Sequence, residues 1–287
     1  MHVTILGCGY LGLALGDRLA DAGHDVVGVR RSERGRSRIA DRGFEAVRAD
    51  ATDADDLAAL PDTDAVVYAV SGGRSGDPRT VYVEGLRTVV ETFGAREAPP
   101  NRLVYTSSTG VYGDRDGAWV DEDTDLDPQS DRERALVDAE RVAVAEAEAA
   151  GIDGTAVRLA GLYGPDRYWT DRYLDGPIVK GYVNMVHRAD AAGAISHLLD
   201  ADLARGSVVD IVDDEPVSRW AFADWLAART GHPEPEKLSR SAARERPDIS
   251  RRVLTSKRVA NTRLHELGYE FAYPTYREGY APAFDGR

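Results

Sequence analysis

Several things are scarce in this 287-residue sequence, and each scarcity closes off a class of function. There is one cysteine, Cys8, so an internal disulfide framework and a cysteine-rich zinc site are both excluded. Bases are outnumbered, 36 against 49 acids, and the net charge of −13 repels nucleic acid and anionic membrane. Lysine is scarcer still: Lys180, Lys237 and Lys257 are the only ones, and every other base is arginine. No apolar run reaches the ~18 residues that a membrane-spanning helix needs. No basic-then-apolar leader opens the chain, so a cytoplasmic protein is expected. No H-x-x-x-H and no His/Asp cluster occurs, so no metal site is expected.

What is present is a globular composition, 43% hydrophobic, long enough for one large core or two lobes. Acid-rich and nearly lysine-free, the chain has the composition that a halophilic, high-salt cytosol favours. A high-GC codon bias would also replace lysine by arginine, so both origins stay open.

The first third alternates strand and helix. Strands are expected at His2–Leu6, Asp25–Val29, Phe44–Arg48, Asp64–Val70 and Arg102–Thr106. Helices are expected at Tyr10–Ala22, Arg31–Arg42 and Thr80–Phe93. Later come a long helix at Asp131–Ala150, a strand at Thr155–Leu159, a helix at Ala189–Leu203, a strand at Val208–Val212, and helices at Arg219–Thr230 and Val259–Leu267. Strands apolar on both faces, alternating with helices, imply an α/β fold with a doubly wound parallel (Rossmann) sheet. The expected division is a dinucleotide-binding domain over residues 1–164. A small C-terminal substrate lobe follows over 165–287, with segments returning to the sheet.

The first strand runs into Gly7-Cys8-Gly9-Tyr10-Leu11-Gly12, a G-x-G-x-x-G between a strand and a helix. Gly7 permits the tight turn, Gly9 lets backbone approach a pyrophosphate, and Gly12 lets helix and strand pack. Tyr10 and Leu11 open the helix, whose N-terminus offers N–H groups to phosphate. The second strand ends in Arg30-Arg31-Ser32, where an NAD site usually carries an acid for the ribose hydroxyl. Arginines here favour the 2′-phosphate of NADP, with NAD the alternative. Asp50 is expected near the adenine. Val70, Ser71, Gly72 and Gly73 are expected on the pyrophosphate or nicotinamide side. Cys8 is expected to pack as a small apolar residue.

The fifth strand ends Thr106-Ser107-Ser108-Thr109-Gly110-Val111-Tyr112-Gly113. With Arg158-Leu159-Ala160-Gly161-Leu162-Tyr163-Gly164-Pro165, Val183–Asp190 and Leu267-Gly268-Tyr269-Glu270-Phe271, this resembles the extended and atypical short-chain dehydrogenase/reductases. These are NAD-dependent epimerase/dehydratase-like proteins, and the chain is similar to their YeeZ-like subgroup. The resemblance implies that Ser108 contacts the reacting oxygen, and that a Y-x-x-x-K pair on the next helix moves the proton. The sequence departs there: Arg132 stands at the tyrosine position and Leu136 at the lysine position. Arginine stays protonated, and leucine does nothing ionic.

Two readings survive. In one, the protein is an NAD(P)-binding oxidoreductase or epimerase-like enzyme acting on a small molecule, a sugar or nucleotide-sugar derivative by family analogy. Tyr112 then supplies acid–base chemistry, Ser108 or Thr109 orients substrate, and Arg132 or Arg134 stabilises negative charge. In the other, the fold binds NADP(H) without chemistry, as a regulator or scaffold. Lys180 is the one conceivable substitute for the lost lysine. Arg251, Arg252, Lys257 and Arg258 form a basic cluster that an anionic substrate or surrounding acids would engage. His187 is expected to be structural, Asp190 a helix-start carboxylate, and residues 121–125 a solvated acidic loop. Relatives suggest a homodimer through the helix at Asp131–Ala150.

Overall fold

The structure, a computed structural model, describes residues 1–72 and 76–284. It divides into two units: Met1–Val111, Pro128–Leu159 and Ala191–Val209 in the first, Tyr112–Asp127, Ala160–Asp190 and Asp210–Arg287 in the second.

The first unit is built on a seven-stranded sheet. Its strands are β1 His2–Leu6, β2 Asp25–Arg30, β3 Glu45–Arg48, β4 Ala65–Tyr68, β5 Arg102–Ser108, β6 Asp153–Leu159 and β7 Ser207–Ile211. The order is β7-β6-β5-β4-β1-β2-β3, and the strands from β3 to β6 pair in parallel. Thr4, Ile5, Val67, Val104 and Val157 are completely buried. Strands covered on both faces read as continuous apolar runs, and each enclosed aliphatic side chain contributes roughly 1.5–3 kcal/mol. The helices α1 Tyr10–Asp21, α2 Glu33–Ala40, α3 Ala54–Ala58, α4 Gly85–Gly94 and α5 Asp131–Arg141 connect the strands.

The two long helices read from the sequence are interrupted. Thr80–Glu84 forms a wide π turn that leads into α4, and Val142–Glu146 forms another after α5. A π turn adds a residue to one turn and rotates the side chains after it, a change the hydrophobic spacing does not report. Helix α5 starts in a capping box: Ser130 accepts from the Glu133 N–H, and the Glu133 carboxylate accepts from the Ser130 N–H.

On α5, Arg132, Leu136 and Glu140 stand four apart, on one face. Leu136 is buried, as an apolar residue should be. Glu140 is also buried and is surrounded by donors. Ser107 Oγ donates to its Oε1 at 2.5 Å, Arg158 Nε to the same oxygen at 3.0 Å, and Arg158 Nη2 to Oε2 at 2.7 Å. This trio ties α5 to β5 and β6. Removing one partner strands a buried charge, so Arg158→Ala should cost about 3–5 kcal/mol in urea unfolding. The apolar pair Glu140→Leu with Arg158→Met should cost clearly less; equal losses would show that the charges are not what is being lost.

The second unit has an aromatic core of Tyr163, Phe222, Tyr276 and Tyr280, with Met185, Val217 and Leu226. Tyr163 stacks on Tyr280 at 4.8 Å between ring centres, and Phe222 meets Tyr276 edge-on at 5.1 Å. Short strand pairs frame it, among them Gly161–Tyr163 with Met185–His187 and Trp119–Val120 with Arg258–Val259. No helix among the described residues is long and apolar enough to cross a membrane.

Candidate functional site

In a parallel sheet the loops after the strands collect at one edge, and the sheet order reverses between β1 and β4. The turn after β1 begins at Gly7 with φ of 79°. A Cβ there would lie 2.6 Å from the Val70 backbone, so only glycine lets the β1 and β4 loops meet. Gly12 packs over Ile5 and Cys8, which is how α1 lies close on β1. Helix α1 has no side-chain cap and no acid in its first turn, where Tyr10, Leu11 and Gly12 stand. That start suits a phosphate. Burial pushes the Cys8 thiol up to about 12, against a smaller opposing pull from Arg30. A thiol held protonated has no redox use at neutral pH.

Arg30, at the end of β2, folds back over the glycine turn. A Cβ on Gly9 would stand 2.8 Å from its Nη1, and one on Gly35 2.9 Å from its Cβ. Arg31 Nη1 reaches Asp50 Oδ2 at 3.5 Å, and Arg48 Nε donates to the Arg31 carbonyl at 3.1 Å. Ser32 Oγ caps α2 by accepting from the Gly35 N–H at 3.2 Å. Burial would raise the Asp50 carboxyl, but the Thr52 N–H and O–H donated to it, and then Arg31, hold it below the usual carboxylate range. Arg31, Arg48, Ala49, Asp50 and Asp56 line an open pocket of about 320 Å³. Gly73 lies outside the described residues.

At the β5 end, Ser108 Oγ accepts from the Gly110 N–H at 3.2 Å and Thr109 Oγ1 donates to the Leu159 carbonyl at 3.5 Å. Ser108 and Thr109 belong to the first unit and Tyr112 to the second. Tyr112 is wholly enclosed, and its hydroxyl donates to Asp210 Oδ2 at 2.6 Å. A phenol sealed on a carboxylate has a structural task, which argues against the expected acid–base role. Nothing in the sequence marks Tyr82 as a site residue. It sits in the π turn and is 5% exposed. Its oxygen accepts from Arg132 Nε at 3.3 Å and from the Gly72 N–H at 3.4 Å. Glu140 does carry a sequence signal, its spacing of four from Leu136 and eight from Arg132.

Several other candidates turn out to hold the second unit together. His187 is buried against Tyr273, 3.9 Å between ring centres, and its Nδ1 accepts from the Ala189 N–H. Burial first, then Arg188, pushes it down to about 4, so it is uncharged at neutral pH. Asp190 is more than a helix-start carboxylate: it accepts from Tyr269 Oη, the Ala272 N–H and the Tyr273 N–H. Glu122, inside the expected solvated loop, accepts from the Asp210 N–H at 2.8 Å. Lys257 Nζ donates to the Gly113 carbonyl and Arg258 Nε to the Gly117 carbonyl. The basic cluster therefore ties down a loop, with the Arg251 side chain outside what is described. Lys180 rests over the Trp220 ring, 5.9 Å from its centre. No group of metal-ligating side chains occurs among the described residues.

Comparison with known proteins agrees with this geometry. Residues 3–205 match the model of the NAD dependent epimerase/dehydratase family. The chain is 32% identical to Protein YeeZ of Escherichia coli K12 over 95% of this chain and 96% of that one. A functionally unknown conserved protein from Silicibacter pomeroyi has a similar structure, with TM-score 0.79 and 28% identity, covering 99% of this chain and 98% of that one. The human epimerase family protein SDR39U1, solved with NADPH, shares the fold at TM-score 0.77 and 19% identity, with both chains fully covered.

The Gly9 cradle yields a clean test. A Gly9→Ala methyl meets only the movable end of Arg30, so the fold should survive with Tm nearly unchanged. It fills the backbone approach to a pyrophosphate, and NADPH affinity by calorimetry should fall by about tenfold or more, a loss of ~1.4 kcal/mol. Unchanged affinity would remove this turn from cofactor binding.

Proposed function

This chain belongs to the NAD dependent epimerase/dehydratase family, and we propose that it is an NADP(H)-binding oxidoreductase or epimerase-like enzyme of the atypical short-chain group. Its substrate is a small carbonyl or hydroxyl compound, a sugar or sugar-nucleotide derivative by analogy with the family. The observation that carries the reading is Arg30 folded over Gly9, beside the pocket lined by Arg31, Arg48, Asp50 and Asp56. An acid at the end of β2 would repel a 2′-phosphate; two arginines attract one. NADPH in a human protein of the same fold supports the choice of cofactor.

The roles follow from the loops. Gly7, Gly9 and the start of α1, at Tyr10, Leu11 and Gly12, receive the pyrophosphate. Arg30, Arg31 and Ser32 receive the 2′-phosphate, and Asp50 stands beside the adenosine. Val70 and Ser71 border the nicotinamide side. Ser108 and Thr109 orient the reacting oxygen. Bound nicotinamide supplies or accepts the hydride. The second reading, a regulator that binds NADP(H) without turnover, is favoured by Arg132 and Leu136 at the positions of the family's proton-moving pair.

Two measurements test this. Arg30→Ala with Arg31→Ala should weaken NADPH by roughly 2 kcal/mol or more, about thirtyfold, while NADH changes less than about threefold. Equal effects on the two cofactors would refute the 2′-phosphate assignment. A panel of aldehydes, ketones and nucleotide sugars, followed by NADPH absorbance, then separates enzyme from regulator. Binding without any turnover favours the regulator.

A further inference from the structure

The family's tyrosine and lysine are replaced here, yet a phenol and a cation still meet in the first unit. We propose that Tyr82, held by Arg132, is the acid–base residue of this site, with the phenol supplied by the π turn before α4 and the cation by α5. The assignment rests on the oxidoreductase reading above and deepens it.

The geometry of one oxygen carries the argument. Tyr82 Oη accepts two N–H donors, the cationic Nε of Arg132 at 3.3 Å and the amide of Gly72 at 3.4 Å. A phenol oxygen accepts about two hydrogen bonds and donates one. Both acceptor positions are taken, and no described residue receives the hydroxyl hydrogen. Two N–H donors thus face the oxygen, one of them on a permanently charged guanidinium, and the hydroxyl hydrogen is left to point at a bound substrate oxygen. In the family pattern phenol and cation share one helix; here the phenol comes from the π turn and its two donors from α5 and the loop after β4. Gly72 follows β4, in the loop that meets the glycine turn through Val70. The phenol is thereby joined to the loop that borders the nicotinamide side.

Tyr68 and Tyr105, also in the first unit, lack this pair of donors. Tyr68 Oη donates to the Val81 carbonyl at 2.5 Å. Tyr105 is fully enclosed, and burial, followed by the charge of Glu140, pushes its phenol far up. Tyr112 donates to Asp210. Arg132 is exposed in the first turn of α5, where a cation opposes the helix dipole. That placement costs helix stability, and contact with Tyr82 gives it a purpose. The Arg132 guanidinium also lies over the Tyr82 ring, 5.6 Å from its centre.

In the reducing direction, bound nicotinamide would supply a hydride to the substrate's carbonyl carbon. The C=O π pair moves to oxygen and takes the Tyr82 proton. Solvent then returns a proton to the phenolate beside Arg132. One carbonyl, one hydride and one proton give one alcohol.

The test needs no knowledge of the substrate. Fluorosulfonylbenzoyl adenosine carries an electrophilic sulfonyl fluoride on an adenosine. The Tyr82 oxygen attacks the sulfur, an O–S bond forms, fluoride leaves with the S–F pair, and the phenol's proton goes to buffer. The expected result by peptide mass spectrometry is an adduct on Tyr82 that NADPH suppresses. Arg132→Leu should slow its formation by about tenfold or more, while Arg132→Lys, which keeps the charge, stays within about threefold. Tyr82→Phe should bind NADPH as the native chain does and lose at least about a hundredfold of any carbonyl turnover. An adduct elsewhere, no adduct, or equal labelling in Arg132→Leu overturns the assignment of Tyr82 while leaving cofactor binding intact. Failure of the native chain to bind NADPH overturns the oxidoreductase reading and this assignment with it.

Discussion

Gly7 turns the chain through a left-handed conformation with no space for a side chain, and its backbone lies against that of Val70. That contact joins the loops after β1 and β4, the two strands between which the sheet order reverses. The start of α1, the arginines after β2, Asp50 after β3 and Gly72 after β4 follow the C-terminal ends of the same parallel strands. A parallel sheet buried on both faces can change its loops freely while its strands stay fixed. The residues proposed for the site accordingly stand in loops and at helix starts, and the strands serve as a rigid frame.

The helix after β5 is fixed to that frame by one of its faces. One face of α5 presents Arg132, Leu136 and Glu140. Leu136 takes part in the core, and Glu140 is held by Ser107 and Arg158 in a buried trio. The trio anchors α5 next to the residue that precedes Ser108. Arg132 is left at the accessible end, where it meets Tyr82. Its guanidinium carries a charge that pH does not alter.

Much of this was legible in the sequence. The strands were readable because β-branched runs such as His2–Leu6 are buried on both faces, and the glycine turn because φ and crowding at Gly7 admit only glycine. Arg30 and Arg31 stood out in an acidic chain. What escaped had other physical causes. A π turn shifts side chains without altering the apolar spacing, so the direction of Tyr82 could not be read. Contacts across long separations were equally hidden. The Tyr112 hydroxyl goes to Asp210 and the Lys257 ammonium to the Gly113 carbonyl. Asp190 does stand at a helix start, as the sequence suggests, and it also fastens the segment at Ala272 and Tyr273.

The account depends most on a nicotinamide cofactor that carries a 2′-phosphate, seated on the glycine turn with Arg30 and Arg31. Calorimetric titration of the native chain with NADPH and NADH in parallel tests this most directly. The account predicts saturable binding of NADPH, at least about tenfold tighter than NADH, or ~1.4 kcal/mol. Binding of neither would contradict the cofactor site, and tighter binding of NADH would contradict the role given to the two arginines.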